Sequence, residues 1–473
     1  MNAPAPPKIQ LVEINQATGV SSSGAMLVKL YLAALAIRWL YDGVMYFAMG
    51  DNGLMGVDSF DYLHRAQVFA AELVSGRVTG WIWLGIDPMQ MPLFSWMTSL
   101  CALISRTFTP LVYVLFQGLI DSGTCLLVYF IAREFDHRVA LPAGIAAAIN
   151  PTQIVMAGML YPDTPFTFFA ALVMLGAVRW LKTPSWSSIV MVALGLAAAA
   201  SMRILIAPFG VALLTFFLLA SLVTRRFGRI VLAHLCFAGV VYGAAVGAIS
   251  LRNHFQYGTW ELTPQSGMHL SRWIVPLVRQ AKDGTPWRET YEELERRTHD
   301  RFGEVLADDP FGLSKQYTEI AMEELPRLGI AAIVKAWAYG AVLNIGTPAI
   351  VLSPPVLQLP RTGFYDTPGA SMIEKMLNFM FRSDNRVYAW ILLAGISGMV
   401  IVRIVQLAGL VALLRAGHGY LGLLTLAGWC AFILLTNGPV ASPKYRLPME
   451  PVLTVLTGAG FRARALLTRP SQG

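Results

Sequence analysis

Charge is scarce in this chain. Only 14% of its residues are Asp, Glu, Lys or Arg, against 55% hydrophobic, whereas a soluble domain carries roughly 25% charged residues. The shortage excludes a water-soluble globular protein and points to a polytopic membrane protein. Cysteine is sparse too: Cys101, Cys125, Cys236 and Cys430 lie far apart, in or beside apolar segments. Neither a disulfide framework nor a metal-ligand spacing can be built from them. Internal repeats and low-complexity tracts are lacking, which removes solenoids and arrays. Acidic residues are outnumbered by basic ones, 28 to 36, for a net charge of +8. The surplus is not a nucleic-acid surface, because the arginines gather at the ends of apolar runs, as the positive-inside effect requires.

Apolar runs are what the chain has in abundance. Runs of roughly 17–25 residues, enough to span a bilayer, lie near 26–48, 111–132, 139–158, 165–181, 187–202, 204–223, 230–250, 388–413, 419–436 and 448–466. Two more are marginal: 92–107 is short, and 329–347 carries Lys335. With 92–107 kept on the outer side as an interfacial or re-entrant helix, Arg133, Arg138, Lys182, Arg225, Arg226, Arg229, Arg415, Arg462 and Arg464 all face the cytoplasm. Counting it as a span turns most of them outward, against the rule. The expected fold is an all-α bundle of about ten to twelve spans, with both termini cytoplasmic and interfacial helices on the outer face.

Five regions follow. Residues 1–23 form a polar, disordered tail, and 24–250 an N-terminal transmembrane module that includes an outer loop at 50–110. Residues 251–328 form a helical outer-face cap, 329–467 a C-terminal transmembrane module, and 468–473 a short cytoplasmic tail. Ala48-Met49-Gly50 has the spacing of a signal-cleavage site, but the run before it is too long for a signal peptide and contains Arg38 and Asp42, so an uncleaved anchor is expected. In the cap, Thr285-Pro286 starts one helix, with Glu292/Arg296 and Glu293/Arg297 as i,i+4 pairs. Asp309-Pro310 is the break, and Ser314 begins a second helix that leads to Pro326. Two helices make a lid, too small for an independent core.

The stretch Gly56-Val57-Asp58-Ser59-Phe60-Asp61-Tyr62-Leu63-His64 follows the first span directly. A helix from Ser59 to Gly76 carries Tyr62, Ala66, Phe69, Ala70 and Leu73 on one face and Asp61, Arg65 and Glu72 on the other. Such a helix lies along the membrane surface, apolar side down. An acid before a first turn often caps it, yet a cap needs one residue and this stretch offers Asp58 and Asp61. The same topology brings Asp163, Arg203, Arg252, Lys444 and Arg446 to the outer face. Asp163 fits a helix N-terminus as well as a substrate role, and Arg203, at the outer end of its span, either snorkels or binds an anion. Lys444 and Arg446, with Tyr445 between them, meet either anionic headgroups or a bound phosphate. Arg38 and Asp42 pair with each other or tie the first span to Asp121; intramembrane charges are functional suspects, but a self-neutralising pair is structural.

Asp-Ser-x-x-Tyr-x-x-x-Ala at Asp58, followed by Met91-Pro92-Leu93-Phe94, resembles the first outer loop of the GT-C glycosyltransferases, a group that includes protein O-mannosyltransferases and lipid A aminoarabinose transferases. Asn150-Pro151 with Tyr161-Pro162-Asp163, and Ser201-Met202-Arg203, resemble further motifs of that family in the same order. So do Leu251-Arg252-Asn253-His254 with Tyr257-Gly258 and Ser266-Gly267, and lastly Lys444-Tyr445-Arg446-Leu447-Pro448. The resemblance implies an inverting enzyme at the periplasmic face of a bacterial inner membrane. Its donor is a polyprenyl-phosphate-linked sugar, its acceptor a lipid, glycan or protein hydroxyl, and membrane lipids are its surroundings. Asp58 is then the general base, Asp61 and Asp163 support it, and Arg203, Arg252, Lys444, Tyr445 and Arg446 hold phosphate, with Tyr62 and His64 near the substrate. The family often has a second acid directly after the first; here that position is Ser59. No cofactor is implied as necessary, and the basis for a divalent cation is weakened. Family members with a large soluble C-terminal domain do not fit the few residues after the last run. The alternative is a transporter or lipid flippase, which calls for inverted repeats, broken helices and ionisable groups at mid-membrane.

Overall fold

The computed structural model describes residues 14–76, 87–303, 309–369, 371–382, 385–417 and 419–467, and every regular element among them is helical. Residues 14–23, expected in the polar tail, instead continue the first helix, Ile14–Met49; residues 1–13 and 468–473 lie outside the described ones. Among the described residues seven helices are long and apolar enough to cross a membrane: Gly24–Leu54, Pro110–Phe135, Asp163–Lys182, Ile206–Val223, Arg229–Tyr257, Arg386–Ala416 and Tyr420–Asn437. The count rises to nine if two bent pairs are each one span.

The remaining expected runs take other forms. The run at 139–158 is one of the bent pairs, His137–Ala148 and Pro151–Ala157, with a 47° bend. Pro151 has no N–H to continue the ladder, and the Asn150 side chain accepts from the N–H groups of Thr152 and Gln153, restarting the helix. The run at 329–347 is Ile330–Gly346, set at 104° to the preceding helix Pro310–Leu328 across Gly329. Trp186–Met202 has 17 residues, and the run at 448–466 breaks into Leu447–Met449, Glu450–Phe461 and Ala463–Leu467. Pro92–Ser105, with 14 residues, is about 21 Å long, short of the ~30 Å hydrocarbon core.

Asp163–Lys182 is the central helix. Its acid lies in the first turn and Arg179 and Lys182 in the last, both favourable to the helix dipole. It packs closely on Trp186–Met202 because glycines sit at the crossing. A Cβ at Gly176 would lie 2.8 Å from the Ser188 carbonyl oxygen, and one at Gly195 2.7 Å from Val173 Cγ2. Trp180 stacks on Phe217 at 4.4 Å, and Trp429 meets Phe209 at 4.8 Å.

Arg38 does not pair with Asp42. Its Nε donates to Asp121 Oδ2 at 2.6 Å and its Nη1 to the Ala148 carbonyl at 3.0 Å, all in the fully buried interior. Gln153 Nε2 donates to the other Asp121 oxygen at 3.3 Å. The group cross-links the first helix, Pro110–Phe135 and the bent pair.

The insertion is a cap of three helical segments rather than two. The segment missed in the sequence runs over Gln265–His269, Leu270–Ile274 and Val275–Asp283, and Trp287–Phe302 and Pro310–Leu328 follow. Pro310–Leu328 begins before Ser314 because the Asp309 side chain accepts from the Gly312 N–H. The expected pairs within Trp287–Phe302 give way to pairs between helices: Glu293 with Arg279 at 2.6 Å, Arg297 with Glu324 at 2.6 Å. Val275, Leu294, Ile320 and Ala321 form a small core inside the cap.

Candidate active site

Helix Ser59–Val74 forms as the spacing predicts, with Ala66, Phe69 and Ala70 buried. Its apolar face rests on protein, however, not on lipid. Tyr62 meets Phe94 edge-on at 5.0 Å, Phe69 meets Trp96 at 4.9 Å, and Ser99 Oγ donates to the Ala66 carbonyl at 2.9 Å. Helix Pro92–Ser105 is therefore the floor of the site. The turn before the helix is fixed by Ser59, whose Oγ accepts from the Gly56 N–H at 2.8 Å and donates to the Leu160 carbonyl at 2.9 Å. The residue standing where the family often has an acid is thus a buried structural tether.

Asp58 sits at the cap position of this helix, but its side chain caps nothing. Its Oδ2 instead accepts from Lys444 Nζ at 2.6 Å, bridging 386 positions of sequence. The Asp58 side chain is 49% exposed, so the carboxylate is held by a cation and open to an incoming group. Lys444 also lies over the Tyr161 ring, 4.8 Å from its centroid, and 5.5 Å from that of Tyr445. Burial works against the Lys444 ammonium, but Tyr445, Asp163 and Asp58 outweigh it and raise the pKa, so the lysine stays charged. Burial, opposed by Lys444, pushes the Tyr161 hydroxyl up to about 12.

Asp163 opens its helix, 1% exposed, and pairs with Arg203 Nη1. Its Oδ2 is buried without a hydrogen-bond partner among the described residues. Arg203 follows Trp186–Met202 in extended backbone, which turns the side chain back over the site. Beyond Asp163, its remaining N–H groups meet no protein acceptor among the described residues. Burial lowers the pKa of Arg203, but Asp163, Tyr62, Tyr445 and Asp58 raise it overall. Lys444 in turn feels Tyr445, Asp163, Asp58 and Arg203, so Asp58, Tyr62, Asp163, Arg203, Lys444 and Tyr445 form one electrostatic cluster.

Four expected residues stand apart from it. Arg446 is fully buried and its guanidinium is occupied by protein: Glu450 at 2.7 Å, the carbonyls of Asn344 at 2.8 Å and Thr347 at 2.6 Å, and Thr152 Oγ1 at 2.9 Å. Glu450 takes a further bond from Asn150 at 2.9 Å. Arg446 is the buckle that holds the 438–446 turn, and with it Lys444, against Asn150-Pro151. Arg252 is also buried; its Nε donates to Asn253 Oδ1 at 2.9 Å while Asn253 holds the carbonyls of Glu261 and Leu262, which organises the turn after its helix. Asp61 and His64 are on the exposed side of helix Ser59–Val74 and line a neighbouring cavity of about 290 Å³ with Arg65, Asp87 and Gln90.

Two residues of the site were missed. Tyr161 is the aromatic support of Lys444, signalled only by its place two residues before Asp163. His269 comes from the cap: burial and then the charge of Arg203 depress its pKa, which favours the neutral imidazole. It precedes a π-helical turn, Leu270–Ile274, a feature frequent at functional sites. Among the described residues no group of three or more His, Cys, Asp or Glu side chains forms a metal-binding set.

Residues 88–247 match the protein family described as dolichyl-phosphate-mannose-protein mannosyltransferase, a stretch that contains Asp163, Arg203 and the floor helix. No curated protein matches the chain in sequence. Among solved structures it is similar to the archaeal oligosaccharyltransferase AglB of Archaeoglobus fulgidus, in complex with an inhibitory peptide and a dolichol-phosphate. The identity is 16% and the TM-score 0.48, over 92% of this chain and 49% of that one, so this chain spans about half the length of AglB. It is also similar to ArnT of Cupriavidus metallidurans in the apo state, at 14% identity and TM-score 0.38 over 93% of this chain and 78% of ArnT. For ArnT bound to undecaprenyl phosphate the values are 16% and 0.38, over 92% and 77%. The family match covers residues 88–247, about a third of the chain, and the helices around it have the length and apolar composition of a polytopic membrane protein.

Proposed function

We propose that the chain is an inverting enzyme that moves a sugar from a polyprenyl-phosphate carrier to a hydroxyl of an envelope lipid, polysaccharide or protein. It does so at the periplasmic face of a bacterial inner membrane, the face that the positive-inside distribution of arginines favours. The observation that carries this reading is the Asp58–Lys444 pair beside the free edge of Arg203. Asp58 takes the proton of the acceptor hydroxyl as its oxygen bonds to the anomeric carbon. The bond from that carbon to the phosphate oxygen breaks on the opposite side, and the polyprenyl phosphate leaves with the electron pair. Arg203 and Lys444 meet the charge that grows there, and Arg203 can do so with two parallel N–H donors. Asp163 holds Arg203 in place, and no step uses a metal.

The transporter or flippase reading needs several ionisable groups free at mid-membrane. Arg38 and Asp121 are instead bound to each other, and Gln153 also holds Asp121, which leaves Asp42 as the one of the three charges named in the sequence without a hydrogen bond among the described residues. Purified protein incubated with a polyprenyl-phosphate sugar and membrane-lipid acceptors tests the two. The expected result is a new glycoside by mass spectrometry, lost in Asp58→Asn. Carrier movement across proteoliposomes without any glycoside overturns the proposal.

A further inference from the structure

Resting on the glycosyl-transfer reading above, we infer that the acceptor is itself a carbohydrate, bound in the cavity between helix Ser59–Val74 and the segment 87–95. This cavity is separate from the cation cluster. Its volume of about 290 Å³ falls at the lower end of ligand pockets, roughly 300–1,000 Å³, which suits a sugar ring or two and is small for a folded peptide segment. Asp61, His64, Arg65, Asp87, Gln90 and Ser95 line it. Two carboxylates, an amide, an imidazole, a guanidinium and a hydroxyl offer both donors and acceptors, as ring hydroxyls require. Val68 and Phe69 supply the apolar part of the wall that the C–H face of a sugar meets.

Three details separate this ligand from others. Gln90 Oε1 is buried with no hydrogen-bond partner among the described residues, an acceptor in want of an O–H donor. The wall carries Asp61 and Asp87 against Arg65 alone, and Arg65 is already paired with Asp87, so a phosphate is disfavoured here and stays with Arg203 and Lys444. An acyl chain or apolar peptide side chain would strip water from six polar groups and replace none of their bonds. The far wall is pinned to the cap, where Gln265 Nε2 donates to the Met89 carbonyl at 2.5 Å and Asp87 Oδ1 accepts from the Met89 N–H at 2.7 Å. Asp61 lies one turn beyond Asp58, a spacing of about 5–6 Å between Cβ atoms, which sets this cavity next to the base.

The test is saturation-transfer NMR on the full chain in nanodiscs, without donor, using methyl glycosides of glucose, galactose and mannose. A serine-containing peptide amide and a short alkyl phosphate serve as rival probes. The expected result is saturation of ring protons by at least one glycoside and by neither rival. Binding should persist in Asp58→Asn and weaken at least tenfold in Gln90→Ala and in the exposed variant His64→Ala. Monodisperse size-exclusion profiles show that both variants are folded. Preferential binding of the peptide or the phosphate, or sugar binding unchanged in both variants, overturns the inference. Sugar binding by a protein that proves unable to transfer would sink the proposed activity while supporting this site.

Discussion

Asp58 and Lys444 form a pair whose two contributions can be told apart by magnitude. The Asp58 carboxylate is 49% exposed and the Lys444 side chain 14%, and a pair with one partner open to water stabilises a protein by about 1 kcal/mol. A cation aimed at departing charge contributes far more to rate, about 10²–10³-fold. Lys444→Gln should therefore lower kcat by about that factor and shift the melting temperature little, as enzyme kinetics beside a thermal melt will show. A collapse of the fold would make the lysine structural. His269 offers a pH signature. Its pKa is depressed by burial and by Arg203, so the folded protein resists taking a proton that the unfolded chain accepts near pH 6.5. That stability is complete above about pH 6.5 and is lost as pH falls through the lower folded value. Melts between about pH 5 and 7 should show a slope that His269→Gln reduces.

At the scale of elements, the site depends on a turn, a floor and a buckle. Gly56 is one case where a side chain cannot be added: a Cβ there would lie 2.1 Å from Tyr161 Oη and 2.5 Å from its Cζ. Gly56→Ala should displace the ring that supports Lys444, costing about 1–3 kcal/mol of stability and at least tenfold in activity. Activity equal to wild type would show that Tyr161 has no part in placing Lys444. The helix Ser59–Val74 was legible in the sequence because its apolar residues recur at helical spacing, but its resting place was not. Periodicity says which face is covered, and only the three-dimensional fold says that Phe94 and Trp96 cover it. The cap shows the same limit. Charges at i,i+4 on Trp287–Phe302 looked like local pairs, yet closer partners on neighbouring helices win them.

Over the whole molecule, the two transmembrane modules meet at Arg446. The sequence groups Lys444 and Arg446 alike as outer-face cations, because side-chain type and position in the chain are all that a linear pattern carries. Burial divides them: Lys444 faces the site, while Arg446 binds Glu450 and the carbonyls ending Ile330–Gly346. Arg446→Met should leave Glu450 buried without its ion-pair partner, destabilising by about 3 kcal/mol, visible as a large fall in the thermal midpoint. A near-normal melting temperature with weakened donor binding would return Arg446 to the phosphate. The convergence of Asp58, Asp163, Arg203 and Lys444 was legible from the charge-based topology, since Arg203 and Lys444 break the positive-inside pattern, Asp163 opens a span and Asp58 precedes the outer-face helix. The measurement that bears most directly on the account is single-turnover transfer from a polyprenyl-phosphate sugar by wild-type and Asp58→Asn protein, with donor binding measured alongside. The account predicts unchanged donor affinity and a rate lower by about 10²–10⁴-fold; a full-rate Asp58→Asn enzyme would contradict it.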